Sequence, residues 1–87
     1  MLRITKLIET PFEVTLKLEG KIVSDWVELL EREIRTLLNE GRTVKLDCSG
    51  VKYVDERAVA LLRSMAGRKL KIVNTTALIE DLMERRV

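Results

Sequence analysis

Leu2 and Ile4 alternate with Arg3 and Thr5, and beyond a Glu9-Thr10-Pro11 break Phe12, Val14, Leu16 and Leu18 alternate with Glu13, Thr15, Lys17 and Glu19. A period of two puts each apolar set on one face of a strand, so the pattern predicts two strands joined as a hairpin. Gly20 is expected to end the second strand. The period then changes. Trp26, Leu29, Leu30, Ile34, Leu37 and Leu38 follow helical spacing, with Glu31, Arg32, Arg35 and Glu40 on the wet side. Ser24 or Asp25 supplies the N-terminal capping oxygen, Glu28 stands three residues beyond Asp25 in capping-box spacing, and Gly41 suits a C-cap. The helix is therefore expected over 25–39.

Val44, Leu46 and Cys48 alternate with Thr43, Lys45 and Asp47, giving a third strand expected to stop at Ser49-Gly50. Ala58, Leu61, Leu62 and Met65 then recur at helical spacing behind Asp55 as N-cap, which predicts a second helix over about 56–66, closed by Gly67. Leu70, Ile72 and Val73 make a fourth strand, and Thr75 or Thr76 caps a last helix carrying Leu78, Ile79, Leu82 and Met83. The order is β-β-α-β-α-β-α. Strands alternating with helices favour right-handed crossovers, so the fold class is α/β, with a mixed, largely parallel four-stranded sheet and about three helices. Strands buried on both faces would read as continuous apolar runs, yet Thr15, Lys17, Thr43, Lys45, Lys69 and Lys71 hold alternate positions. Helices are thus expected mainly on one face.

Composition narrows the function. Eighty-seven residues make a single domain, and 46% hydrophobic with 34% charged residues is the balance of a chain that folds. With no histidine and one cysteine, Cys48, the usual zinc, Cys-His and Ser-His chemistries and an internal disulfide lack their residues. The chain is expected not to be an enzyme and to carry no cofactor. Cations exceed anions by only two and the signs alternate, so no field marks a nucleic-acid partner. The three aromatics do not interleave with Lys17, Lys45, Lys69 and Lys71 as base stacking requires. No segment has the length and apolarity of a signal peptide or a bilayer span, which sets a cytoplasmic location with no membrane partner as the expectation.

The stretch from Val44 to Val59 resembles the central signature of the STAS family, in which an apolar strand ends in Asp-apolar-Ser and a short loop reaches Asp-Ser-Ser-Gly at a helix start. Asp47-Cys48-Ser49, Val51, Tyr53-Val54 and Asp55 match in spacing, and Leu16-x-Leu18-x-Gly20 and Leu70-x-Ile72-Val73-Asn74 fit on either side. The resemblance, to the anti-sigma-factor antagonists in particular, implies a non-enzymatic regulatory module. Its partner would be an anti-sigma factor of the ATPase-kinase type, which phosphorylates the second serine of that motif. Here Glu56 replaces the first serine, Arg57 the regulatory one and Ala58 the glycine. Arginine has no hydroxyl to accept phosphate.

The resemblance implies a docking edge of Ser24, Asp25, Asp55, Glu56 and Arg57, with Arg57 as the phosphosite equivalent. The alternative function is a small-molecule sensor for a nucleotide or anion, or a scaffold domain. A helix N-terminus at 55–58 suits phosphate, but the Asp55 and Glu56 charges oppose it and no Gly-rich loop supports it. A magnesium site from Asp47, Asp55 and Glu56 is opposed by Lys45, Lys52 and Arg57. Cys48 is read as core, and Trp26 as a core or half-buried anchor.

Overall fold

The computed structural model describes residues 1–84. The elements run β1 (Leu2–Glu9), β2 (Glu13–Ile22), α1 (Asp25–Asn39), β3 (Thr43–Val54), α2 (Glu56–Met65), β4 (Leu70–Val73) and α3 (Ala77–Glu84), in the expected order. The sheet order is β1-β2-β3-β4. β1 pairs antiparallel with β2, and β2-β3 and β3-β4 are parallel, so the sheet is mixed with β1 as the antiparallel addition.

One face of this sheet is dry. Val14, Leu16, Leu18, Val44, Leu46, Cys48 and Leu70 are buried, whereas Lys45 and Lys71 are exposed and Thr15, Lys17 and Asp47 half-buried on the other face. All three helices touch β3, the strand at the centre of the core. α1 buries Val27, Leu30, Ile34 and Leu37, a stripe at i, i+3, i+7 and i+10, each side chain contributing roughly 1.5–3 kcal/mol. This corrects the sequence reading at its margin: Val27 belongs to the core, and Leu29 stands 37% exposed on an adjacent stripe with half-buried Trp26. α1 ends in a Schellman motif. The Gly41 N–H donates to the Leu38 carbonyl (3.0 Å) and the Arg42 N–H to Leu37 (3.3 Å), with Gly41 at φ 83°.

Two strand boundaries differ from expectation, for one reason. β2 runs past Gly20 to Ile22, and β3 runs past Ser49-Gly50 to Val54. Between the pairs Lys17↔Asp47 and Glu19↔Gly50, β3 advances three residues against two on β2. Between Gly20↔Val51 and Lys21↔Tyr53 it advances two against one. β3 thus carries two bulges, which absorb the Ser49-Gly50 break and keep Val51 and Val54 buried beyond it. A third bulge, at Leu7 in β1, turns Ile8 to the open face opposite Thr15. Phe12, read as a strand position, lies just before β2 and is 79% exposed. Its carbonyl accepts from the Thr43 N–H at 2.8 Å, and Thr10 Oγ1 accepts from the N–H groups of Phe12 and Glu13, so the hairpin tip is held by backbone bonds and by the Thr10 hydroxyl.

Candidate functional site

β2 and β3 are parallel neighbours, so the loops that follow them emerge at the same end of the sheet. β2 leads through Ser24 into α1, and β3 leads through Asp55 into α2. Two helix N-termini are thereby set side by side, and residues about thirty positions apart meet. The Asp55 carboxylate joins them. Its Oδ1 accepts from the Ala58 N–H at 2.8 Å, the expected N-cap of α2, and its Oδ2 accepts from the Ser24 N–H at 2.9 Å. Partial burial opposes its charge, but the N–H groups of Ser24 and Ala58 and the nearby Arg57 guanidinium outweigh that, and the carboxyl is held below its ordinary value.

Because its folded pKa is depressed, the Asp55 contribution to stability is complete above the unfolded carboxyl value of 3.8 and is lost as pH falls through the folded value. Asp55→Asn is therefore expected to destabilise the domain at pH 7 and to flatten the fall in stability below about pH 4. Urea melts across pH 2–7 check this. An acid limb unchanged from wild type would contradict the role of Asp55.

Ser24 does not act as the expected side-chain cap. Its hydroxyl makes no capping bond, and its backbone sits at φ 51°, ψ −127°, a region unfavourable to an L side chain. The serine instead contributes backbone: its N–H goes to Asp55 and its carbonyl accepts from Val27 N–H at 3.0 Å. Asp25 and Glu28 lie in the first turn of α1 and Glu56 in the first turn of α2, where carboxylates complement the helix dipole. Asp25, Glu56 and Arg57 are exposed. Arg57 Nη2 lies 3.1 Å from Glu28 Oε1, both side chains 60% exposed, so this pair links the two helices weakly.

Ser24 and Asp55 meet directly and Arg57 reaches α1 through Glu28, while Asp25 and Glu56 stand in the adjoining first turns. Sequence reading missed Glu28 as the partner of Arg57, having placed it in a capping box, and nothing local in the sequence marks a contact across twenty-nine positions. It also missed the apolar margin: Trp26 and Leu29, with Asp25, Glu28 and Arg32, line a shallow depression of about 410 Å³ beside the acidic turn. Spacing of i, i+3 on a stripe displaced from Val27 and Leu30 was the available signal.

The rest of the Asp-x-Ser signature has a local role. Asp47 Oδ1 accepts from the Ser49 N–H at 3.0 Å. That bond, with the Ser49 hydroxyl, Asn74 and Lys17, holds the Asp47 carboxyl below its ordinary value despite partial burial. Asp47 and Asp55 are each committed to separate backbone donors, and among the described residues no three acidic or sulfur side chains converge as a metal site requires. Cys48 is buried, and burial, with a smaller contribution from the Asp47 charge, pushes its thiol up to about 11, so it stays neutral and packs as a small hydrophobe. Among the described residues no helix is long and apolar enough to cross a membrane.

A family model described as "Mlab, STAS domain" matches residues 7–86. Among solved structures, the anti-sigma factor antagonist SpoIIAA in its unphosphorylated form superposes with a TM-score of 0.70 at 19% identity, covering 94% of this chain and 82% of that one. At that identity the likeness establishes the fold. No curated protein matches the sequence.

Proposed function

Because this chain belongs to the STAS family, we propose that it works by docking a protein partner on the Asp55-centred surface, with no chemistry of its own. One observation carries the reading: a single carboxylate bonds both helix starts, so Asp25, Glu56 and Arg57 are presented from a braced frame rather than a loose loop. A backbone already fixed loses less entropy on association than a mobile loop. The partner in this reading is an anti-sigma factor, the class that the structurally similar antagonist opposes, and the resemblance of the 44–59 stretch implies one of the ATPase-kinase type. With Arg57 at the acceptor position, docking is not released by phosphorylation. The carboxylates of Asp25, Asp55 and Glu56 disfavour an anionic small molecule at these helix starts and favour a partner surface carrying cations.

The experiment is to form the complex with such a kinase, add ATP, and follow both the complex by size-exclusion chromatography and the chain by mass spectrometry. The complex is expected to persist with residues 55–58 unmodified. Failure of the complex to form, or its dissociation on addition of ATP, would overturn the reading.

A further inference from the structure

On the open side of the sheet, at the same end as the helix starts, lies a feature that the docking surface does not use. Met1, Arg3, Glu19, Gly20, Lys21, Gly50 and Lys52 line an open cleft of about 510 Å³. The bulges create it. Val51 and Val54 are both buried, which strict alternation forbids, and the extra residue in β3 lets Lys52 and Tyr53 both face outward. Arg3 pairs with Glu19 across β1-β2, and Lys21 pairs with Tyr53 across β2-β3, which brings cations from three strands to one place. Glycine keeps the floor open: a Cβ on Gly20, at φ 101°, would collide with the Met1 carbonyl, and a Cβ on Gly50 would come within 2.8 Å of Glu19 Cγ.

Among the described residues some surface cations carry ion pairs and others do not, and three of the latter meet in this cleft. Elsewhere Lys45 is paired with Glu13 at 3.0 Å, and Arg42 with Glu9 at 2.7 Å and Glu40 at 3.4 Å. Arg3, Lys21 and Lys52 make no ion pair with any described residue, although Glu19 lines the same cleft. Three cations facing a single carboxylate leave a local excess of positive charge on a chain whose net charge is only +2. No aromatic side chain lines the walls to stack a base. The group that suits such a site is compact, multiply charged and rich in acceptor oxygens. We propose that the Arg3-Lys21-Lys52 cleft binds a phosphate group, free or carried on a small molecule or lipid headgroup.

The test titrates the isotope-labelled chain with inorganic phosphate, with pyrophosphate, and with vesicles of phosphatidylcholine containing phosphatidylglycerol, following backbone amide shifts and vesicle co-sedimentation. Pyrophosphate is expected to saturate on the order of millimolar, with shifts centred on Gly20, Lys21, Gly50 and Lys52 and affinity falling as salt rises. Lys21→Glu/Lys52→Glu, with its fold confirmed by thermal melting, is expected to weaken binding by about tenfold or more. The control Lys69→Glu/Lys71→Glu, two exposed lysines remote from the cleft lining, is expected to leave it unchanged. Saturation by the soluble anions alone assigns free phosphate, and vesicle binding lost in the cleft variant assigns a headgroup. Failure of every probe to saturate, or binding that survives the cleft reversal, would overturn the proposal. Neither result bears on docking at Asp55, which is read with a protein partner.

Discussion

Leu46→Ala is expected to lower the free energy of unfolding by about 2–5 kcal/mol, and Lys45→Ala, its neighbour on the same strand, to change it by no more than about 0.5 kcal/mol. Leu46 is fully buried, in register with Leu16 of β2 and Ile72 of β4, on the strand that all three helices touch. Truncation removes the transfer free energy of three carbons and leaves a cavity that packed neighbours on both flanks cannot fill. Lys45 points the other way. Its side chain is 46% exposed, and its 3.0 Å pair with Glu13 joins two solvated side chains and contributes little. Urea melts of the two variants measure the difference directly. Equal losses would mean that both faces of the sheet are covered.

Arg57→Glu is expected to weaken partner binding while leaving Tm nearly unchanged. The native pair with Glu28 spans 3.1 Å between side chains that are each 60% exposed, so its loss costs little. A glutamate in the first turn of α2 is also favoured by the helix dipole, which offsets repulsion from Glu28. Across an interface the same reversal opposes whatever charge the partner had matched to Arg57. A guanidinium desolvated in the complex costs about 2–5 kcal/mol of affinity when reversed, whereas one at the rim alters mainly the association rate and its salt dependence. Calorimetric titrations at low and high salt separate the two cases. A large fall in Tm would instead assign Arg57 a structural role.

Much of the fold was legible because period and punctuation agreed. α1 begins at Asp25 and ends at Asn39 as expected, since a change from period two to helical spacing is bounded by Ser24-Asp25 and Gly41. Asp55 was recognisable as the α2 cap because Asx before a helical pattern has a local partner, here the Ala58 N–H. The strand ends were less legible. A glycine reads as a terminator, but at Gly20 and Gly50 it permits close approach between strands, and a bulge then restores the apolar phase at Val51 and Val54. No pattern in one strand reveals that its neighbour is two residues shorter. The site divided in the same way. Its residue types were readable near the signature, whereas the Ser24-Asp55 and Arg57-Glu28 contacts arise from parallel pairing of β2 with β3 and exist only in three dimensions.

Amide shift mapping of the labelled chain, titrated with an anti-sigma factor of the ATPase-kinase type, shows whether a protein partner meets the two helix starts bridged by Asp55. Shifts and line broadening are expected to centre on residues 24–29 and 55–58, taking in Trp26 and Leu29 at the margin. A footprint centred instead on the open sheet face around Lys17, Lys45 and Lys71, with residues 24–29 and 55–58 unperturbed, would contradict docking at the helix starts.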